Sequence, residues 1–316
     1  MNAVVTPSPV LCADIGGSYI KFGLSPQPSD VVGLDKIAMP AHCWDEFVGA
    51  LKKLVSAHQA HYAADTPLAI SAAGIVSPTG EVFASNIPAF SGHLLVTELT
   101  QCLNRQVWLA NDADCFALAE ATQGRGKGLP IVFAAILGTG VGGGLVINGQ
   151  TVSGADGLTG EWGHGPITRT ELQLDGARYS LPRQPCSCGQ SGCLDTYGGA
   201  RGLEKIHLLL HGQSADSRTI IGHWQRDEPH ARLTVAAWLQ VVSEPLAYCL
   251  NMTGASLIVV GGGLAAVEPL IEALDRLVRQ LILRRSPDPV VVAGRFSQQG
   301  GLVGASVLGH MRAAGR

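Results

Sequence analysis

Between Gly160 and Asp195 the chain carries one histidine and three cysteines spaced as His164-x21-Cys186-x-Cys188-x4-Cys193. Three sulfurs and one imidazole nitrogen form a donor set suited to tetrahedral zinc. The competing reading is three cysteines buried in an ordinary core, a common place for free thiols. Gly189 and Gly192 lie between the thiols and mark a tight knuckle, not a core strand or helix. Two carboxylates, Glu161 in "GEWGH" and Asp195 closing "CSCGQSGCLD", sit immediately beside the ligands. The expectation is a metal that ties a loop down, so that these carboxylates face a small-molecule pocket.

A second cluster lies in "QVWLANDADCFALAEA", Gln106 to Ala121. A short apolar strand runs into Asn111 and Asp112, and a helical pattern starts at Ala113 or Asp114. One acidic residue is explained as an N-cap. Two carboxylates and an asparagine exceed what a cap needs, and open α/β sheets place ligands at the carboxyl ends of strands.

Glycine turns supply a third kind of chemistry. In "PVLCADIGGSYIKFGLS" an apolar run ends at Asp14, and Gly16, Gly17 and Ser18 lead into a second strand, a hairpin signature. Such a turn lets backbone amides approach an anion, which suits phosphate; an ordinary hairpin fits this stretch equally well. The layout recurs 122 residues later, where the strand "IVFAAIL" meets Gly138, Thr139 and Gly140. Two copies suggest an internally duplicated fold with two facing domains. A third turn, Gly261-Gly262-Gly263, follows the buried strand "ASLIVV" and precedes a helix, an arrangement that suits a nucleotide; a flexible turn is the plainer reading. Gly74 ends another strand where backbone could meet a ligand. Asn86, before Pro88, either bonds a polar ligand or shapes a turn, and the turn is the commoner use.

The elements that must hold these residues are legible in outline. Trp44 to about Tyr62 has helical apolar spacing, with His58 and His61 expected in solvent. Tyr197–Gly212 reads as a helix capped by Gly212, Thr234–Met252 as a long amphipathic helix, Pro289–Phe296 as a last strand and Gly300–Met311 as a terminal helix. With 316 residues, 46% hydrophobic and 15% charged, the chain is globular and long enough for a sizeable core. A formal net charge of -3 leaves no basic footprint for nucleic acid. No apolar run reaches the roughly 18 residues of a membrane span, and the start lacks a secretion signal. Eight cysteines without such a signal read as metal ligands plus reduced thiols of a cytoplasmic protein; Cys12, Cys43, Cys102, Cys115 and Cys249 are the thiols outside the metal set.

Taken together, "DIGGSYIKFGL", "ANDADCFALAEA", "ILGTGVGGGLVING", "GEWGHGPI", "CSCGQSGCLD" and "VVGGGL", in this order and over nearly the whole chain, resemble the ROK family of bacterial sugar kinases. Within it, "SNIPAFSG", "NDADCFALAEA" and the long spacer from His164 to Cys186 look like the N-acetylglucosamine kinases. N-acetylmannosamine kinases usually have a shorter spacer; fructokinases share the long spacer and "GEWGH". The resemblance implies an α/β fold, duplicated and two-lobed, of the actin/hexokinase (ribonuclease H-like) type, with a zinc-bound loop. It divides the chain into a small lobe, 1–112, and a large lobe, 113–299, containing the zinc loop 161–195, with the helix at about 300–316 packing back on the small lobe. A homodimer is also implied.

The activity implied is phosphoryl transfer from ATP, with Mg2+, to the 6-hydroxyl of an N-acetylhexosamine, N-acetyl-D-glucosamine above all. Asp112 would be the catalytic base and Asn111 a sugar contact. Glu161, His164 and Asp195 would line the sugar with help from Gly74 and Asn86, and His164 would serve Zn2+ and sugar at once. Gly16, Gly17, Ser18, Gly138, Thr139 and Gly140 would hold phosphates, and Gly261, Gly262 and Gly263 the adenosine side. N-acetylmannosamine kinase, fructokinase and glucokinase activities stay open. From another class, so do a non-catalytic sugar sensor and a repressor, although only about a dozen residues precede Asp14, too few for a helix-turn-helix. The chain departs from the family pattern at Asp195, where Glu is usual. It also has "GGSY" for Gly-Gly-Thr-Lys, which removes a lysine and leaves Lys21 two residues on, and "GGARGL" where Ser-Gly-x-Gly-Leu is usual.

Overall fold

The computed structural model describes residues 8–77, 79–84 and 86–315. In chain order the strands are β1 (Val10–Ile15), β2 (Tyr19–Gln27), β3 (Asp30–Ala38), β4 (Leu68–Ala72), β5 (Ile75–Val76), β6 (Val82–Phe83), β7 (Val107–Asn111), β8 (Ile131–Leu137), β9 (Val141–Ile147), β10 (Gln150–Thr151), β11 (Glu171–Leu174), β12 (Ala177–Ser180), β13 (Leu257–Gly261) and β14 (Val291–Ala293). The helices are α1 (Trp44–Ala57), α2 (Leu95–Leu103), α3 (Asp112–Gln123), α4 (Asp195–Gly198), α5 (Ala200–His211), α6 (Ser217–Gln225), α7 (Pro229–Thr253), α8 (Glu268–Leu281) and α9 (Gly300–Ala313).

These elements fall into two compact α/β units. The first contains the chain up to Gln123, with Gln150–Thr159 and the residues from Gln299 on; the second contains Gly124–Gly149 and Gly160–Gln298. The division therefore falls after α3, not at residue 112, and 150–159 belong with the first unit. Small residues explain where α3 goes. Gly300 and Gly304 of α9 lie against Phe116 and the backbone of Cys115, so close that a Cβ at either position would overlap them. That glycine stripe locks α3 to α9, and Gly309 continues it onto Val10 and Ala69.

The sheet of the first unit runs β3-β2-β1-β4-β7, with an antiparallel β1–β2 hairpin and β1, β4 and β7 parallel. The second unit repeats the order as β9-β8-β13-β14, again a hairpin followed by parallel strands. Apolar runs at β8 and β13, and at β1 and β4 where only Asp14 and Ser71 interrupt them, suit parallel strands covered on both faces, and all five residues of β4 and of β13 are buried. Phe22, Phe47 and Phe90 are fully buried in the first core, each worth about 1.5–3 kcal/mol.

The second core is built around α7. Val235, Trp238, Val242 and Leu246 recur at helical spacing and are buried, and Trp238 Nε1 donates to Gly198 O at 3.0 Å. By length and composition α7 would cross a membrane, but this apolar face lies among the side chains of its own unit. Smaller expectations shift as well. The first helix stops at Ala57 and continues as a single turn, Gln59–His61, and His58 is half-buried beside the ring of Phe22 while His61 is exposed. Gly212 ends α5 at φ 67°.

Candidate functional site

In the first unit the carboxyl ends of β1, β4 and β7 carry the predicted polar residues. β7 ends on Asn111 and α3 begins at Asp112 without a break. Asn111 Oδ1 accepts the N–H of Ala113 (2.8 Å) and of Asp114 (3.3 Å), so it caps the helix. Its Nδ2 donates to Gly74 O at 2.6 Å, joining two residues expected at the sugar. Asp112 is exposed, and its Oδ1 accepts the N–H of Ala113 at 2.9 Å. The capping duty thus falls mainly on Asn111, and Asp112 stands at the helix start as the exposed acid. Gly74 has φ 117° and a Cβ there would lie 2.7 Å from Phe83 O, so only glycine fits.

Asn86 is exposed and lies next to the first glycine turn. A Cβ on Gly17 would meet Asn86 Nδ2 at 2.7 Å, which puts this asparagine against the first glycine turn. Beneath that turn is a group that sequence reasoning missed. Asp14 Oδ2 pairs with Lys21 Nζ at 3.0 Å, and Asp14 Oδ1 accepts the hydroxyl of Ser71 at 3.1 Å. The three are register partners on β2, β1 and β4. An acid at the end of an apolar strand was the available signal, the same one that singled out Asp112.

In the second unit the histidine and the three cysteines converge. One ligand atom from each of His164, Cys186, Cys188 and Cys193 lies within 4.8 Å of all the others. Cys188 and Cys193 Sγ are 3.6 Å apart, and Cys186 Sγ is 3.7 Å from His164 Nδ1. Sulfurs bound at about 2.3 Å around a tetrahedral zinc lie about 3.8 Å from one another, so the donor set fits the ion. The local fold explains the convergence. Gly189 (φ 88°) and Gly192 (φ 82°) turn the knuckle, Cys186 N–H donates to Gln190 O at 2.8 Å, and Leu194 N–H donates to Gly165 O, also at 2.8 Å, tying the cysteines to the histidine segment. Burial pushes the Cys193 thiol up to about 12, so a thiolate there requires a cation beside it.

His164 presents its other nitrogen to the neighbouring acid, with Nε2 3.9 Å from Glu161 Oε2. Burial raises the Glu161 carboxyl above its ordinary range; His164 pulls it down and the charge of Asp195 pushes it up again. Asp195 opens α4, and its Oδ1 accepts the N–H of Val141 at 2.7 Å. The second glycine turn is gripped from other directions too. Ala200 N–H donates to Gly138 O at 2.8 Å, and Gly262 (φ 85°) lies against the backbone of Leu137 and Gly138. The Gly261–Gly263 and Gly138–Gly140 turns are therefore brought together. Two concavities of about 710 and 430 Å³, one on β3 and α1 and the other on α8 and β14, contain none of the predicted residues.

Comparison with known proteins follows the same residues. The pattern of the ROK family matches residues 10–312. The chain belongs to the ROK family. This ROK protein is 33% identical over 296 residues to the N-acetyl-D-glucosamine kinase of Pectobacterium carotovorum, covering 93% of this chain and 97% of the relative. Among solved structures it resembles the ROK hexokinase of Thermus thermophilus, with a TM-score of 0.81 and 25% identity over 98% of this chain and all of the other. It also resembles a ROK glucokinase of Streptomyces griseus in complex with glucose and AMPPNP, with a TM-score of 0.74 and 25% identity over 95% and 99% of the two chains.

Proposed function

We propose that this ROK sugar kinase transfers the γ-phosphoryl group of ATP to the 6-hydroxyl of N-acetyl-D-glucosamine. The observation that carries the reading is the 33% identity with an N-acetyl-D-glucosamine kinase over 93% of the chain, with Asp112, Glu161, His164 and the three metal-set cysteines all present. Phosphoryl transfer needs positioning and charge neutralisation more than covalent chemistry. Asp112, exposed at the helix start, accepts the proton of the attacking hydroxyl. Glu161, His164 and Asp195 bond sugar hydroxyls, and Asn111 holds Gly74 and the start of α3 in place. Backbone N–H groups of the Gly16–Ser18 and Gly138–Gly140 turns receive phosphate oxygens, while Gly261–Gly263 borders the adenosine. His164, Cys186, Cys188 and Cys193 would hold zinc, which when bound would fix the loop. Magnesium would supply the charge neutralisation usual for a nucleotide triphosphate.

The deciding experiment measures initial rates with N-acetylglucosamine, N-acetylmannosamine, glucose and fructose at one fixed ATP concentration. The expected result is the highest kcat/KM for N-acetylglucosamine. A higher value for another sugar reassigns the substrate, and no ADP formation with any of the four refutes the kinase reading.

A further inference from the structure

Asp195 stands where two parts of the second unit meet. It follows the metal-set residue Cys193 by two positions and opens α4, yet its Oδ1 holds the amide of Val141, the residue directly after the Gly138–Gly140 turn. Gly140 makes the approach possible, because a Cβ at that position would overlap Asp195 Oδ1. A carboxylate–amide bond is charge-assisted and about twice as strong as a neutral one. The residues that follow continue the grip: Ala200 and Arg201 N–H groups donate to Gly138 O (2.8 Å) and Thr139 O (3.4 Å). A Cβ on Gly199 would lie 2.6 Å from Thr139 O. Segment 195–201 thus contacts the turn at the Gly138 and Thr139 carbonyls and at the amide that follows it. An amide cradle binds an anion well only when its N–H groups are fixed beforehand.

We propose that Asp195 is a positioning residue that couples the cysteine–histidine loop to the second glycine turn, so that order in the loop sets the affinity of the turn for nucleotide phosphates. The inference rests on the kinase reading, in which that turn receives phosphate. It gives the aspartate a second duty beside any bond to sugar.

The test uses the full chain with its metal and no sugar. Calorimetry measures binding of magnesium–ADP and of adenosine, and hydrogen exchange follows the amide of Val141. Asp195→Ala is expected to weaken ADP binding about 10-fold, the scale of one lost charge-assisted bond, to leave adenosine binding unchanged, and to speed exchange at Val141. Asp195→Asn, whose amide oxygen still accepts, should stay within about 3-fold of wild type. Should Asp195→Ala fail to fold, Gly140→Ala displaces the same carboxylate and should produce the same selective loss of ADP. Unchanged ADP affinity with Val141 still protected overturns the coupling, and so does an equal weakening of ADP and adenosine binding. A wild-type protein that binds ADP but phosphorylates no hexose sinks the kinase reading and leaves the coupling standing, so the two failures are distinguishable.

Discussion

The two glycine hairpins share a topology and differ in how they acquire polar groups. In the first, Ile15 pairs with Ile20, leaving four residues in the turn, and Gly16 N–H donates to Tyr19 O. In the second, Leu137 pairs with Val141, leaving three, and Gly138 N–H donates to Gly140 O. At the penultimate position of the first strand, the first hairpin carries Asp14 opposite Lys21, an ion pair made within the hairpin itself. The second has Ile136 opposite Gly142 there and takes its carboxylate from Asp195, more than fifty residues further along the chain. None of Gly16, Gly17, Gly138 and Gly140 is in the positive-φ region. At Gly17 and Gly140 the missing Cβ makes room for a side chain, Asn86 in one case and Asp195 in the other. A duplicated scaffold therefore does not imply duplicated wiring: backbone topology repeats while each turn finds its own charge.

Five substitutions probe that contrast, and the largest effect is expected at the acid of the first unit. Asp112→Asn should lower turnover by at least ~100-fold, the scale of a lost general base, with sugar binding kept. Near-normal kcat in the purified variant would remove Asp112 from the chemistry. Cys188→Ser should leave less than one zinc per chain by metal analysis and weaken sugar binding by about 10-fold or more, the scale for disturbing a metal site; full zinc with unchanged affinity would detach the second unit's loop from its ligand. Gly140→Ala crowds a carboxylate held by backbone, so an unfolding loss of about 1–3 kcal/mol is expected. Gly17→Ala meets only the movable end of exposed Asn86 and should cost about 0.5 kcal/mol. Equal losses in the two denaturation midpoints would erase the distinction between the turns. Smallest is Lys21→Met, which breaks an ion pair whose lysine is 40% exposed; a change in stability of about 0–1 kcal/mol is expected, and a loss above about 2 kcal/mol would make that pair a structural anchor.

Local residue types made much of the fold and of the candidate site legible. The apolar runs ending in glycine gave both hairpins, and the cysteine spacing gave a donor set whose atoms do meet. The junction at Asn111 and Asp112 was visible because two acids and an amide exceed the needs of one helix cap. Less legible was the division of work inside that junction. The cap went to Asn111 because its side chain reaches both the helix amides and Gly74 O, and the second of those contacts depends on β4 and β7 lying side by side. The place of α3 in the first unit was also hidden, since glycines spread along α9 reveal a helix contact only once α9 is opposite α3.

The sequence by itself determined which atoms were available: four metal donors, the exposed acid at a strand end, and turns without side chains. These follow from composition and short-range spacing, which neighbouring residues enforce on one another. Only the tertiary structure decided which partner each of them holds, as with Asn86 against Gly17 or Asp195 on Val141. The reason is that such contacts are set by strand register and by the closeness of backbones far apart in the chain, and no local pattern encodes that closeness.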